Sequence, residues 1–263
     1  MSDGGWRFVT WNVDWWRRRP QQVPRADFIA GFDADVVALQ ELSGAEAKVL
    51  RRSHRGPSIF SHEEYEPATW GWMGCGLLLR DGVEVLHQGV VLGLPKPQRS
   101  LWARIRMPGD DEVTVVSWHA PNAAGDGVGV KMAAYRAMSA WLAEQGPVVL
   151  GADLNTWSDR LDLQAPVEGD PFFHEHAFVG VNPAHGLLDA YRCVRAADGQ
   201  MDGLRADRPE GPLAVSHVLD GGAEHRMDRV YCSDSLVPMA AGYELEASYR
   251  AGSDHALHWV DFV

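Results

Sequence analysis

Apolar and polar positions follow two rhythms along the chain: short β-branched runs closed by polar residues, and longer stretches with an apolar residue every third or fourth place. The runs "WRFVTWNV" and "ADVVALQEL" predict strands, with "PRADFIAGF" between them as a short helix entered through Pro24 and "GAEAKVLRR" after them as a second helix. Then "CGLLLRDG", "VEVLHQGVVLG", "LWARIRM" and "EVTVVSWHA", broken by Gly and Pro, predict four consecutive antiparallel strands. The clearest helix is "VKMAAYRAMSAWLAEQG", alanine-rich, closed by Gly146 and carrying Val130, Ala134, Met138 and Trp141 along one face. "PVVLGA" predicts a strand interior covered on both faces. The stretch that follows, "TWSDRLDLQAPVEGDPFFHEHAFVGVNPAHG", is loop-rich, and a loop that long in a compact domain is often functional. A short helix "LLDAYRCVR" and three closing strands, "RMDRVYCS", "YELEAS" and "HALHWVDFV", complete the pattern. No low-complexity linker or fixed-period repeat interrupts it, so residues 1–263 read as a single domain of the α/β (α+β) class, mixed sheets covered by helices.

With 263 residues and 46% apolar content, the chain can bury a sizeable core. Its formal net charge of −12 argues against coating nucleic acid through bulk positive charge, but leaves room for a local basic patch. Cys75, Cys193 and Cys232 lie far apart with no CxxC pairing, which suggests neither a disulfide framework nor a zinc site. The first residues carry no apolar stretch of signal-peptide length, and no run approaches the roughly 20 apolar residues of a membrane span. The expectation is a soluble, cytoplasmic protein without membrane attachment or an obligate protein partner.

Polar residues cluster at strand ends: Asn12 and Asp14, Gln40 and Glu41, His119, Asp153 and Asn155, Asp228, and then Asp254 with His255. In an α/β domain the ends of several strands converge on one rim, where such folds place their sites. If extended geometry continues through Leu154, Asp153 and Asn155 point the same way, although the pair also suits a capping turn. Carboxylates crowded together share protons or hold a cation, and oxygen-only ligation selects a hard ion such as Mg²⁺ or Mn²⁺. His174, His176 and His185 have a spacing able to ligate a transition metal, but a His-x-His loop without a third compact ligand reads as solvated surface or phosphate contact. Trp6, Trp118 and Trp141 read as packing, and Arg51, Arg52 and Arg55 as the exposed face of a helix.

The pieces "TWNVD", "ALQEL", "WHAPN", "GADLN", "GLLDAYR", "RMDRVY" and "GSDH", in that order and across nearly the whole chain, resemble the endonuclease/exonuclease/phosphatase superfamily. That superfamily includes abasic-site endonucleases, pancreatic deoxyribonuclease, sphingomyelinases and inositol polyphosphate phosphatases. The resemblance implies a deoxyribonuclease-like four-layered sandwich, two mixed β-sheets flanked by helices, with the site in a cleft at one end. It implies Glu41 as the principal metal ligand, oriented by Asn12, with Asp14 or Asp254 completing the Mg²⁺ or Mn²⁺ site directly or through water. Asp153 would align and deprotonate the attacking water. Asn155 would hold a phosphoryl oxygen, and His255, oriented by Asp228, would stabilise charge in the transition state. His119 stands where pancreatic deoxyribonuclease and many phosphatases carry histidine, whereas "WNVD" and "GLLDAYR" look more like the abasic-site branch. Whether His119 gives a proton to the leaving oxygen or only binds phosphate is left open. The implied activity is hydrolysis of phosphodiester bonds, as a nuclease acting on DNA or, alternatively, on a small metabolite or lipid headgroup. Trp15, Trp16, Arg17, Arg18 and Arg19 follow Asp14 directly and suit nucleic acid through base stacking and paired N–H donors, while a solvated turn before Pro20 accounts for them equally well.

Overall fold

The computed structural model describes residues 5–14, 20–65, 73–109, 111–156, 171–219 and 221–263. Its strands are β1 (Trp6–Asn12), β2 (Val36–Leu42), β3 (Ser58–Phe60), β4 (Gly74–Leu79), β5 (Glu84–Gly89), β6 (Ser100–Arg106) and β7 (Glu112–His119). They continue as β8 (Val148–Asp153), β9 (Leu188–Asp189), β10 (His217–Val218), β11 (Glu224–His225), β12 (Asp228–Cys232), β13 (Pro238–Glu244) and β14 (Leu257–Phe262). The helices are α1 (Arg25–Ala30), α2 (Gly44–Ser53), α3 (Ser61–Glu64), α4 (Ala123–Asp126), α5 (Val128–Ala143), α6 (Phe173–Val179), α7 (Ala190–Ala197), α8 (Met201–Asp207) and α9 (Leu245–Arg250).

Two six-stranded mixed sheets result, in the orders β13-β14-β1-β2-β4-β3 and β5-β6-β7-β8-β12-β9, beside a small β10-β11 ribbon. Each large sheet has one parallel pair at its centre, β1 with β2 and β7 with β8, and the other large-sheet pairings are antiparallel. Their inner faces pack together through Phe8, Val36, Ala38 and Leu77 on one side and Ala103, Val115, Val149 and Val230 on the other. The sheets approach closely where Gly151 meets Thr10: a Cβ there would lie 2.6 Å from the Thr10 Cβ. On the outer faces, Ile29 of α1 and Leu50 of α2 cover Val9, Trp11 and Val37. Met138 of α5 and Phe178 of α6 cover Trp118, Val148 and Leu150. This is the expected four-layered sandwich.

Alternation along the inner faces builds the site. Every second residue shares a face, so β1 presents Phe8, Thr10 and then Asn12, and β7 presents Val115, Ser117 and then His119. Strand β8 presents Val149, Gly151 and then Asp153, while β12, running the other way, begins at Asp228. The register pairs His119 with Asp153 and Asp153 with Asp228. The rows on β1, β7 and β8 thus pass from apolar core through a small residue, Thr10, Ser117 or Gly151, to a titratable or amide group at one rim. Just beneath that rim, Gln40 Nε2 donates to Thr10 Oγ1 at 3.0 Å and to Ser117 Oγ at 2.9 Å, and Ser117 Oγ donates to Leu39 O at 2.7 Å. Gln40 therefore ties the sheets together below the site.

Four local expectations are corrected. The run of antiparallel strands is divided, because β4 pairs with β2 and β3 while β5, β6 and β7 belong to the other sheet. The buried face of α5 is formed by Lys131, Met132, Ala134, Tyr135, Met138 and Leu142, which leaves Val130 and Trp141 at its edges; the helix ends at Ala143, before Gly146. "YELEAS" crosses from the end of β13 into α9. Arg51, Arg52 and Arg55 are all exposed as expected, but Arg55 lies beyond the end of α2 rather than on its face. Trp6 and Trp118 are core residues, and half-buried Trp141 packs against Trp102. Among the described residues, no helix is long and apolar enough to cross a membrane.

Candidate active site

One cavity of about 460 Å³ opens at this rim, lined by Asp14, Glu41, His119, Asp153, Asn155, Asp254 and His255. Asn12 lies beneath it, fully buried, and bridges two carboxylates: its Nδ2 donates to Asp153 Oδ2 at 2.8 Å and to Glu41 Oε1 at 3.2 Å. Its Oδ1 accepts from the Asp14 N–H at 2.9 Å. Glu41 reaches the cavity through a β-bulge between Leu39 and Leu42 in the pairing of β2 with β4. A bulge re-aims a side chain, and here it comes with a left-handed backbone at Glu41, φ 56°. Extended geometry does not continue past Asp153 as the sequence suggested. Strand β8 ends there, Asn155 adopts φ 48°, and the Asn155 N–H donates to Asp153 Oδ1 at 2.9 Å. The turn and the shared site are therefore both present.

Asp228 Oδ2 lies 2.8 Å from His255 Nδ1, which fixes the imidazole with Nε2 free of that contact. Burial opposes a charge on His255, but Asp228, Asp153 and Asp254 around it overcome that cost and hold its pKa well above the ordinary value. Burial likewise opposes ionisation of Asp153, yet the imidazoles of His255 and His119, the Asn155 N–H and the Asn12 amide bring its pKa below the usual range. Asp228 is raised, by burial first and by Asp153. His119 acquires the carboxylate neighbours that its sequence context did not reveal: Nε2 lies 3.4 Å from Glu41 Oε1 and 3.6 Å from Asp153 Oδ2. Burial dominates there and lowers its pKa.

Asn155 Nδ2 already donates to Ala120 O at 2.9 Å, and its Oδ1 accepts from Asn122 Nδ2 at 3.2 Å. Asn122 leads to a cation pair that sequence reasoning missed. Its N–H donates to Asp126 Oδ2 at 3.0 Å, and Asp126 also binds Arg99 NH1 at 2.9 Å and Lys96 Nζ. Arg99, Asn122 and Asp126 line the cavity with Met73, Leu219, Met227 and His217. Of these, Asn122 and Met227 lay inside quoted motifs; the others carry no local signature. His174 and His176 do not join His185 in a ligand set: buried His185 is committed to Phe178 O at 3.1 Å and to the Leu187 N–H at 3.1 Å. Trp15, Trp16, Arg17, Arg18 and Arg19 lie outside the described residues.

A family model described as the Endonuclease/Exonuclease/phosphatase family matches residues 9–255. The chain belongs to this family. It is accordingly a hydrolase of the metal-dependent phosphodiesterase class. Among solved structures, D. rerio TDP2 in complex with a single-strand DNA product superposes with a TM-score of 0.67 at 19% identity, covering 99% of this chain and 100% of that one. The Xenopus laevis APE2 catalytic domain gives 0.65 at 17%, covering 97% and 91%. The human Nocturnin catalytic domain with bound sulfate gives 0.62 at 16%, covering 98% and 93%. At these identities the likeness is one of fold.

The family's divalent ion can be tested against the donors present. Glu41 Oε2 is buried without a hydrogen-bond partner, and Glu41 shares the cavity with Asp14 and Asp254. An unpaired buried carboxylate oxygen costs free energy that a cation removes. The set fits a hard divalent ion.

Proposed function

We propose that the chain is a divalent-metal-dependent nuclease that hydrolyses phosphodiester bonds in DNA. The observation that carries the chemistry is the convergence, in one open cavity, of ionised Asp153, the Asp228–His255 pair and Glu41 with its uncommitted oxygen. Glu41 with Asp14 and Asp254 would hold Mg²⁺ or Mn²⁺, which would neutralise phosphate charge there. Asn12 keeps the Glu41 and Asp153 carboxylates at a fixed separation, so that Asp153 accepts the proton of an aligned water. Protonated His255 donates from Nε2 to a phosphoryl oxygen as negative charge develops there, and Asp228, bonded to Nδ1, orients the ring and stabilises its charge. The Asn122–Asn155 amides and Arg99 face the remaining oxygens. His119, between Glu41 and Asp153, is placed to hydrogen-bond the ester.

Support for a polymeric substrate comes from two sources. D. rerio TDP2 shares the fold and binds a single-strand DNA product, and "WWRRRP" follows Asp14 on a chain of net charge −12. A small phosphoester is the second reading, favoured by a cavity of about 460 Å³, which is within the usual range for small-molecule sites.

The test is a Mg²⁺- and Mn²⁺-supplemented panel of plasmid, single-stranded and abasic DNA, RNA and phosphomonoesters, with and without chelator. DNA cleavage abolished by EDTA is expected; full turnover in excess EDTA overturns the metal assignment. Neutralising Arg17, Arg18 and Arg19 together should weaken DNA binding and flatten its log–log salt dependence by roughly 0.9 for each duplex phosphate no longer neutralised. Unchanged salt dependence in that variant, with loss of activity on a phosphomonoester, overturns the nuclease reading.

A further inference from the structure

The cavity's ligating atoms change character from one side to the other. On the Glu41 and Asp14 side the donors are carboxylate oxygens with one imidazole, His119, whereas beyond Asp254 lie two imidazoles. His217 opens β10 and is joined to His255 by an isolated antiparallel bridge, which sets the imidazoles 4.5 Å apart between centroids with planes inclined at 44°. His217 Nε2 lies 3.5 Å from Asp254 Oδ2, and His255 Nε2 lies 3.9 Å from Asp254 Oδ1. One ligating atom from each of the three residues falls within 4.8 Å of the other two, and all three residues are buried.

We propose that His217, Asp254 and His255 form a second cation site, selective for a borderline transition ion with Zn²⁺ foremost, and that its occupation inhibits the enzyme. Two imidazoles and a carboxylate are a zinc-type set, whereas an oxygen-only set suits Mg²⁺. Zinc–nitrogen bonds of about 2.0–2.1 Å require each donor to move inward by less than about 1 Å. The Asp228–His255 hydrogen bond supplies the outer carboxylate that orients a metal-binding imidazole through its other nitrogen. Coordination takes the His255 Nε2 lone pair, so that nitrogen releases its proton to solvent and can no longer donate to phosphate. Asp254, shared by the two sides, makes the ions compete as well. His217 is the determinant, because without it the nitrogen side reduces to one imidazole.

The inhibition rests on the proposed role of His255, whereas the binding does not, so they are read separately. ZnCl₂ is titrated calorimetrically into the full chain in saturating Mg²⁺, for the wild type and for the His217→Phe and His217→Asn variants. Wild type should bind one Zn²⁺ at micromolar concentration, and both variants at least 10-fold more weakly, a loss of the size seen when a metal site's supporting residue is removed. Zinc inhibition of Mg²⁺-supported hydrolysis should shift by the same factor. Circular dichroism establishes which variants fold, and visible absorption of four-coordinate Co²⁺ on the wild type gives an independent reading of nitrogen ligation. Unchanged Zn²⁺ affinity in either folded variant overturns the site, as does a wild type that binds neither Zn²⁺ nor Co²⁺ below about 100 μM. Zinc binding that depends on His217 without inhibition overturns the inhibitory part alone. The same binding with no phosphoester hydrolysed at all overturns the proposed function and leaves the site standing.

Discussion

Asp14, Glu41 and Asn155 adopt left-handed backbone at φ 45°, 56° and 48°, and among the described residues only Asp33 joins them as a non-glycine with positive φ. Such conformations cost free energy and persist where the surroundings over-determine them; here that is the rim of the cavity. The sequence identified these side chains by type and by their place at strand ends, but not by conformation, because a positive φ on Asp, Glu or Asn has no period and little compositional trace. His217, Arg99 and Lys96 were illegible for a different reason: each enters from a loop or a two-residue strand and matters only once the two sheets are packed. At this scale, Asp153→Asn should keep the melting temperature close to wild type and cut turnover by roughly 10³-fold or more, since it removes a proton acceptor while conserving size. A near-native rate in that variant would overturn the assignment of Asp153. His119→Ala separates the roles left open for that residue: a drop of roughly 10²-fold or more in kcat marks proton donation, and a rise in KM with kcat retained marks binding.

Periodicity located β1, β2, β7, β8 and α5, because each has a buried face long enough to leave a pattern. It set the phase of α5 wrongly, since a count of apolar residues passes over Lys131, which is 1% exposed. That lysine donates to Glu175 Oε1 at 2.8 Å and to Asn155 O at 2.9 Å, while Tyr135 one turn later donates to Leu154 O. Helix α5 thus grips the two residues after Asp153 by their carbonyls and holds the left-handed turn in place, with Glu175 of α6 compensating the ammonium. Breaking a buried ion pair from one side leaves the partner's charge unpaired, at a cost of about 3–5 kcal/mol. Lys131→Met should therefore lower the free energy of unfolding by that amount in a denaturant titration, and adding Glu175→Gln should restore part of it. If Lys131→Met alone is neutral, the pair does not anchor the turn.

Across the whole molecule, the order of strands was less legible than their existence, because β4 joins β2 and β3 rather than β5 through pairings the sequence pattern does not encode. The count of histidines was legible, but their environments were not. His185, expected in a solvated loop, is 3% exposed and packs between Phe178 and Tyr231 at 4.3 and 4.8 Å between ring centroids. Burial lowers its pKa from 6.5 to about 4. The unfolded chain then binds a proton at this residue below about pH 6.5 that the folded chain refuses until about pH 4, so unfolding gains a proton across that window. The stability tied to neutral His185 is fully present above about pH 6.5 and falls as the pH drops towards 4, by about 3 kcal/mol at 1.36 kcal/mol per pKa unit. His258, also buried, is lowered by burial in the same direction, so acid destabilisation of the wild type exceeds the share of His185. A His185→Gln variant isolates that share. It should be less stable than wild type at pH 7, through poorer ring packing, and the gap should narrow or reverse by pH 4 because glutamine takes up no proton. Denaturant unfolding of both proteins at pH 7, 5.5 and 4 measures the difference, and a gap that stays constant across that range would show that His185 is not held neutral in the fold.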